Sequence, residues 1–336
     1  MTSLAQLTAP AYKIEVDGLL ASKILRDRLV SLNVTLNNGV TSDQLSMTFD
    51  DRSNLLGGYI AVPSEGKKIK VWMGYELPFI GLVEMGAFVV NHTSLSGASG
   101  GQTLTVSATP SLMLTESTAT WGGQRIDAIV NAIADRHGLK ASVSAAYKGV
   151  IIETLNQHYE NDLTLLTRLA QRHDAIVKPM AGKLLFLEKA EAKNALGMPL
   201  LIATFSSEDI TNWSVNLNGR QRFSAVIARY PDCCQATYVE VTEGKASAPL
   251  IYRLPDPYNN EEEAKAAAAA KLEEFKRADT LNVTVIGRPE ITAEGKIALT
   301  NIRDGVNGEW VVKSATHTFS SGGYQTSLQA YRENTL

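Results

Sequence analysis

Apolar residues recur with a period of two through the first third of the chain. Three runs show this alternation, namely Tyr12, Ile14 and Val16, then Leu32, Val34 and Leu36, then Leu45, Met47 and Phe49. A period of two is typical of strands that bury one face. Clusters such as Asn37-Asn38-Gly39 separate the runs, as turns do. We therefore predict many short strands, arranged as a barrel or a sandwich.

The pattern becomes helical after Pro110. Apolar side chains at Ile126, Ile129, Val130 and Ile133 share one helix face, and Gly138 stands where a left-handed residue often ends a helix. A second helix is predicted from Asn161-Asp162, which can cap its free N–H groups. The apolar run KLLFL at 183–187 then predicts a strand. This middle part is expected to form a small α/β domain.

The last third is predicted to be mostly strand, with one helix. The predicted strands are Ala225–Tyr230, Ala236–Val241, Leu281–Ile286 and Lys296–Ile302. The helix follows Asn259-Asn260 and has acidic residues at Glu261–Glu263, five alanines and a basic end at Lys276-Arg277. That order of charges complements the helix dipole, and alanine allows close packing against a sheet.

Two segments resemble each other across the chain. Phe88-Val89-Val90 is followed by Gly100-Gly101 and then Gln102-Thr103, and Trp310-Val311-Val312 is followed by Gly322-Gly323 and then Gln325-Thr326. The match slips by one residue after the glycines. Either the two segments are equivalent hairpins of a repeated barrel, or two unrelated β-hairpins look alike by chance.

Composition excludes several classes of protein. The chain has 336 residues, a length that predicts two or three domains. Of these residues 44% are hydrophobic and 20% charged, with a net charge of -3, and this composition predicts a packed globular protein. Such a balance gives no electrostatic reason to bind nucleic acid or an anionic membrane, but it suits a surface past which DNA slides. No signal peptide and no apolar run of the ~18 residues that span a bilayer is visible. The adjacent Cys233-Cys234 are expected to be reduced thiols, as in a protein made in a reducing cytosol.

One motif raises the possibility of an enzyme. Gly97-Ala98-Ser99-Gly100-Gly101 formally matches the nucleophile elbow of serine hydrolases. An elbow requires a helix directly after the serine, whereas Gln102 to Val106 reads as a strand, so a hairpin turn is the better interpretation. A soluble hydrolase that uses Ser99 is the enzymatic alternative.

The other reactive residue types do not form a recognisable site. The histidines are His92, His137, His158, His173 and His317, and none has the spacing of metal ligands. His137 and His173 fall at predicted helix C-termini, where the dipole favours an imidazolium, and Glu160 and Asp162 fall at a helix start, where capping explains them. We predict no catalytic, cofactor or metal site, and hence no enzyme.

A family resemblance rests on the middle of the chain. Five segments together resemble the late control D family, the baseplate hub proteins of contractile-tail phages. They are Trp121-Gly122-Gly123, the helix Ile126–Gly138, Gln157, the helix Asn161–Ala170 and the strand Gly182–Leu187. The same pattern is similar to the front half of VgrG proteins of type VI secretion. Gly287–Leu299 (GRPEITAEGKIAL) fits the later part of the family. The resemblance covers most of the chain.

The resemblance implies an α+β, mainly β architecture, with two similar tube-type β-barrel domains flanking a small α/β domain. The expected domains are an N-terminal tube-type barrel at 1–113, the α/β domain at 114–200, and a second barrel with the inserted Ala-rich helix at 201–336. Two barrels per chain, repeated three times, would let a threefold object meet a sixfold tube.

The resemblance also implies a function. It predicts a structural baseplate hub, forming a homotrimeric ring that joins the tail tube protein to a trimeric tail spike and contacts other baseplate proteins. Because the chain stops at Leu336, where VgrG chains continue, the spike is expected to be a separate protein. The expected location is the virion tail, assembled in the bacterial host cytoplasm. The alternative is that the hub belongs to a phage-tail-like bacteriocin or to a type VI-like injection machine.

Overall fold

The fold is given by a computed structural model of the chain. The structure describes residues 9–38, 42–53, 58–76, 81–98, 101–111, 116–180, 182–188, 203–217, 223–232, 237–244, 250–276 and 279–332.

The N-terminal part is built from strands with one short helix. In chain order they are β1 (Pro10–Val16), β2 (Leu19–Leu20), α1 (Lys23–Asp27), β3 (Leu29–Asn37), β4 (Gln44–Asp50), β5 (Lys68–Tyr75), β6 (Leu82–Ala98) and β7 (Gly101–Thr109). The three alternating runs of the sequence lie in β1, β3 and β4, as predicted, and their apolar residues face one core. The sequence did not predict α1, which buries no residue and therefore has no apolar stripe to reveal it.

The middle part holds two helices among short strands. The elements are β8 (Glu116–Thr120), β9 (Gln124–Arg125), α2 (Ile126–Arg136), β10 (Lys140–Val143), β11 (Ile151–Ile152), β12 (Asn156–Asn161), α3 (Asp162–Arg172), β13 (Ala175–Met180) and β14 (Lys183–Glu188). Both helices confirm the prediction, and Gly138 has the expected positive φ of 66°. The apolar faces of α2 and α3 pack on the sheet β10-β14-β13 in a core of their own.

The C-terminal part returns to strands. Its elements are β15 (Ala203–Phe205), β16 (Ile210–Asn216), β17 (Ala225–Asp232), β18 (Thr237–Gly244), β19 (Ile251–Arg253), α4 (Glu261–Lys276), β20 (Asp279–Ile286), β21 (Lys296–Leu299), β22 (Gly308–Ser320) and β23 (Gly323–Arg332). One predicted strand is shorter than expected, because β21 ends at Leu299 and Asn301 turns the chain with a φ of 55°.

A single large sheet joins the N-terminal and C-terminal parts. Its order is β16-β20-β23-β22-β3-β4-β7-β6-β5-β1-β2, with β21 also on β22 and β15 on β21. The chain therefore is mainly β with few helices, as predicted. The two parts meet where β3 pairs antiparallel with β22.

The same strand order occurs twice in this sheet. The order β5-β6-β7-β4-β3 in the first half corresponds to β21-β22-β23-β20-β16 in the second, element for element in chain order. All the pairs in both orders are antiparallel. The strands β1 and β15 flank them at corresponding places, but β1 runs antiparallel to its neighbour and β15 runs parallel.

The pairing register is also the same in both halves. Every residue pair of the hairpin β6–β7 reappears in β22–β23 with both residues shifted by 222, so Val90–Ala108 corresponds to Val312–Ala330. Both hairpins have an irregularity directly after that valine. The strands β3 and β16 likewise share a bulge, between Leu29 and Ser31 in one and Ile210 and Asn212 in the other.

This register corrects one detail of the sequence match. The structural equivalence has no slip after the glycines, since Gly323 corresponds to Gly101 and Tyr324 to Gln102. The shared Gln-Thr letters that suggested a slip are therefore coincidental. The aromatic residues that begin the two segments do correspond, and both Phe88 and Trp310 are buried.

The Ala-rich helix packs on a separate small sheet. The strands β18-β17-β19 form this sheet, and Val226 and Ala228 on its inner face contact Ala264 and Ala268 of α4. All four side chains are fully buried, as expected of small residues in close contact. The sequence predicted β17 and β18 as strands but as part of the second barrel, whereas they pair only with each other and with β19 among the described strands.

Candidate assembly surfaces

The residues of the middle motif form one buried hydrogen-bonded cluster. The indole Nε1 of Trp121 donates to Oε1 of Gln157 over 3.2 Å, and Nε2 of Gln157 donates to Oδ1 of Asp162 over 2.8 Å. The other oxygen of Asp162 lies 2.8 Å from Nε2 of His137, and the guanidinium of Arg136 lies over the Trp121 ring at 5.0 Å. Gln157 and Asp162 are almost fully buried. The cluster joins α2, α3 and β12, so it stabilises the fold of this unit.

The structure revises two predictions about helix ends. Asn161 alone caps α3, through Oδ1 and the N–H of Thr164 at 2.8 Å, whereas Asp162 turns inward to His137. His137 and His173 do lie at the C-caps of α2 and α3. Burial lowers the pKa of His173, however, with the charge of Arg172 adding to the effect, so the neutral imidazole is favoured rather than the expected imidazolium.

A second buried cluster holds the two halves of the large sheet together. His317 is fully buried on β22; its Nδ1 accepts from the Tyr324 hydroxyl at 2.9 Å, and its Nε2 donates to the carbonyl of Ile291 at 3.0 Å. The Tyr75 hydroxyl of β5 donates to the carbonyl of Gly287 at 2.7 Å. A Cβ on Gly287 would lie 2.1 Å from the Tyr324 ring, so only glycine fits at the start of the GRPEITAEGKIAL segment.

One buried ion pair fastens the middle unit to the large sheet. Nζ of Lys178, on β13, lies 3.5 Å from Oδ2 of Asp43 and donates to the carbonyl of Asn37 over 3.2 Å. Asp43 also accepts the N–H of Asn37 at 2.7 Å. Burial raises the pKa of Asp43, and Lys178 opposes that rise. Sequence patterns missed this contact, because its residues lie 135 positions apart without any periodic signal.

Two segments of the large sheet expose an edge without charged residues. The strand β16 pairs only with β20, and residues 92–98 of β6 pair only with β7, among the strands that the structure describes. Neither segment contains Lys, Arg, Asp, Glu or Pro. Proteins usually protect such edges with charge or proline, so a bare edge is a candidate for pairing with another chain. Exposed apolar residues accompany both edges, namely Leu95, Trp213 and Leu217.

A groove of about 780 Å³ lies between α3, α4 and the loop before α4. Its lining mixes cations such as Arg172 and Lys313 with acids such as Asp256 and Glu263. This balance does not select a ligand of either charge.

The elbow motif lies at the turn of the β6–β7 hairpin. Ser99 and Gly100 are outside the described residues, but Ala98 pairs with Gly101 and β7 begins directly afterwards. A strand therefore occupies the place where an elbow needs a helix, which supports the hairpin interpretation. Within the described ranges, no group of three His, Cys, Asp or Glu side chains could hold a metal ion, and no helix is long and apolar enough to cross a bilayer.

Solved structures of other proteins share the fold of this chain. The chain is similar to the 43 kDa tail protein of prophage MuSo2 from Shewanella oneidensis, with a TM-score of 0.72, 15% identity, and coverage of 96% of this chain and 98% of that one. It is also similar to a chain of the Francisella PdpA–VgrG complex, with a TM-score of 0.58, 11% identity, and coverage of 98% and 59%. The chain therefore shares its fold with this prophage tail protein and with the chain of the PdpA–VgrG complex.

Sequence comparison then identifies the family. The model of the phage tail baseplate hub (GPD) family matches residues 88–323, and the chain belongs to this family. A probable baseplate hub protein of Escherichia phage 186 is 25% identical over 367 aligned positions, which cover 96% of this chain and 92% of that protein. Membership confirms the resemblance seen in the middle motif. A baseplate hub is a component of the virion tail.

Proposed function

We propose that this hub forms a homotrimeric ring that joins the tail tube to a separate trimeric spike and lets DNA pass through its centre. In this proposal the chain has the domains 1–113, 114–200 and 201–336, and the two outer domains form similar tube-type barrels. The hub makes and breaks no bond in a substrate; its function lies in its interfaces.

The observation that carries the proposal is the repeated strand order with its constant register. Two equivalent units in each chain become six equivalent units in a trimer, and six units match a sixfold tube. The shared bulges support equivalence of the two units, because bulges re-aim strands and recur only where the geometry is kept.

Charge and the known relatives support the remaining parts. A net charge of -3 spread over 336 residues gives a channel wall little attraction for DNA phosphates. The relative from Escherichia phage 186 matches over nearly its full length and is named a probable baseplate hub. We propose the same role for this chain, with the tail tube, the spike and other baseplate proteins as partners, and with assembly in the bacterial cytoplasm.

Sedimentation of the purified chain tests this proposal. The chain should sediment with the mass of three copies, and a purified spike protein from the same tail should bind as one further trimer. Class averages from electron microscopy should show a ring with six similar lobes around a channel. A chain that stays monomeric at high concentration and ignores the spike would contradict the proposal.

A further inference from the structure

The strands β3 to β7 form one repeat unit, and the strands β16 and β20 to β23 form the other. The pairing of β3 with β22 shows how the two repeat units attach to each other within the chain. This intrachain seam runs antiparallel from Ser31–Ser320 to Asn37–Ser314. Its inward side chains are buried, among them Leu32, Val34 and Leu36 on β3 and Ala315 and His317 on β22.

The equivalents of both seam strands lie at the bare edges. Residue positions on β22 exceed their equivalents on β6 by 222, and positions on β16 exceed those on β3 by 181. The segment of β22 that pairs with β3 therefore corresponds to residues 92–98 of β6, and β3 corresponds to β16. Among the described strands, each chain therefore has one such strand pair, β3 with β22. It also has two matching edge segments, β16 and residues 92–98 of β6, which we call the half-seams and which have no described strand paired along their outer side.

We propose that β16 of one copy pairs with residues 93–98 of β6 in the next copy, in the register of the intrachain seam. The inward pairs are then Leu95 with Val215, Gly97 with Trp213, and Thr93 with Leu217. Since the two edges differ, the contact is head-to-tail, and it closes only as a ring of chains. This inference rests on the proposed trimeric ring and supplies its contact.

Exposure of the half-seam residues supports the pairing. Leu95 is 60% exposed, Trp213 40% and Leu217 57%, whereas their seam equivalents His317, Leu32 and Leu36 are at most 4% exposed. Burying large apolar side chains of this kind is the main driving force for stable association. The two edges therefore expose large apolar side chains at positions whose equivalents the seam buries.

The sizes of opposed side chains also fit. In the seam, Phe319 lies opposite Leu32, two large residues that share the space. In the proposed pairing the larger Trp213 takes the place of Leu32, and Gly97 takes the place of Phe319. A glycine opposite a tryptophan leaves the room that a bulky ring needs, and the nearest atoms to a Cβ on Gly97 would be those of the Gln102 side chain and the Gly101 carbonyl, at ordinary contact distances.

The outward-facing pairs are polar on both strands. In the seam, the hydroxyls of Thr35 and Thr316 lie 3.2 Å apart. Their equivalents are Asn216 and Ser94, and the next pair is Ser214 with Ser96. Such residues can hydrogen-bond across strands, and no like charges oppose each other.

Disulfide trapping tests the register. Thr35 and Thr316 lie directly opposite each other in the seam, with their hydroxyls 3.2 Å apart, so cysteines at the two equivalent positions would face each other across the paired strands. In a chain with Cys233→Ser and Cys234→Ser, a mixture of Ser94→Cys chains and Asn216→Cys chains should form disulfide-linked dimers on mild oxidation. A mixture of Ser94→Cys and Ser214→Cys chains, two residues out of register, is the control and should link much less. One chain carrying Ser94→Cys and Asn216→Cys together should give a ladder that ends at three copies.

The outcomes separate this inference from the proposed function. If unoxidised chains sediment as trimers but the in-register pair does not link, or the control pair links as well, the proposed pairing is wrong and the ring stands. If the chains are monomeric and nothing links, both proposals fail.

A steric swap gives a second test. Gly97→Phe should weaken association about tenfold or more, because the new ring competes with Trp213 for the same space. Adding Trp213→Leu recreates the Phe–Leu pair of the seam and should restore association. Circular dichroism should show that both variants keep the monomer fold. An unchanged trimer in Gly97→Phe, or no recovery in the double variant, would overturn the pairing.

Discussion

At the scale of single residues, His317 links protonation to stability. Burial lowers the pKa of His317 to about 4, and the hydrogen bond to Ile291 opposes the shift only in part. The unfolded chain binds this proton near its ordinary pKa of about 6.5, so the unfolded state binds more protons between pH 6.5 and 4. This contribution to stability is therefore intact above pH 6.5 and falls by up to about 3 kcal/mol as the pH drops to 4.

Urea unfolding as a function of pH measures this effect. Carboxylates titrate in the lower part of the same range, so the slope of His317→Gln is compared with that of the parent chain. The variant should be less stable at pH 7, since it loses buried hydrogen bonds, yet its stability should fall less between pH 6.5 and 4. The exposed His92→Gln is the matched control and should follow the parent. Parallel curves for parent and His317→Gln would contradict the expectation.

At the scale of elements, the Lys178–Asp43 pair couples β13 to the turn between β3 and β4. Lys178→Met should destabilise the chain by about 3–5 kcal/mol, because it leaves a carboxylate buried without a cation. The double variant with Asp43→Asn should recover most of that loss, since an asparagine oxygen can still accept the N–H of Asn37. Equilibrium urea unfolding gives the free energies. If the single variant is as stable as the parent, or the double variant recovers nothing, the pair does not couple these elements as described.

Elements also show what the sequence could and could not predict. The helices α2 and α3 were predictable because local spacing and local caps define them. The predicted cap singled out Asp162 and the family resemblance singled out Gln157, but neither predicted the bond between them, since a hydrogen-bond partner across elements leaves no periodic trace. The strands β17 and β18 were likewise predictable as strands, whereas their separate sheet was not, because a period of two does not specify which strand lies alongside.

At the scale of the whole molecule, the two repeat units differ mainly in what connects their first two strands. Six residues, 38–43, connect β3 to β4, whereas 62 residues, 217–278, connect β16 to the equivalent β20. The long connection contains the sheet β18-β17-β19 and α4, which have a core of their own. The small sheet and α4 are thus an insertion at a turn, where a repeat unit tolerates added chain.

Excision of this insertion should leave the large sheet intact. Replacing 217–278 by the short connection of residues 38–43 keeps every strand pair of the sheet, so the variant should unfold in one cooperative step and lose helical signal in circular dichroism. Its thermal midpoint should fall somewhat, because α3 loses its contact with α4. A second variant with a six-residue Gly-Ser connection controls for the sequence of the turn. Aggregation or gradual unfolding of both variants would mean that the insertion is part of the folding unit, and that the large sheet depends on it.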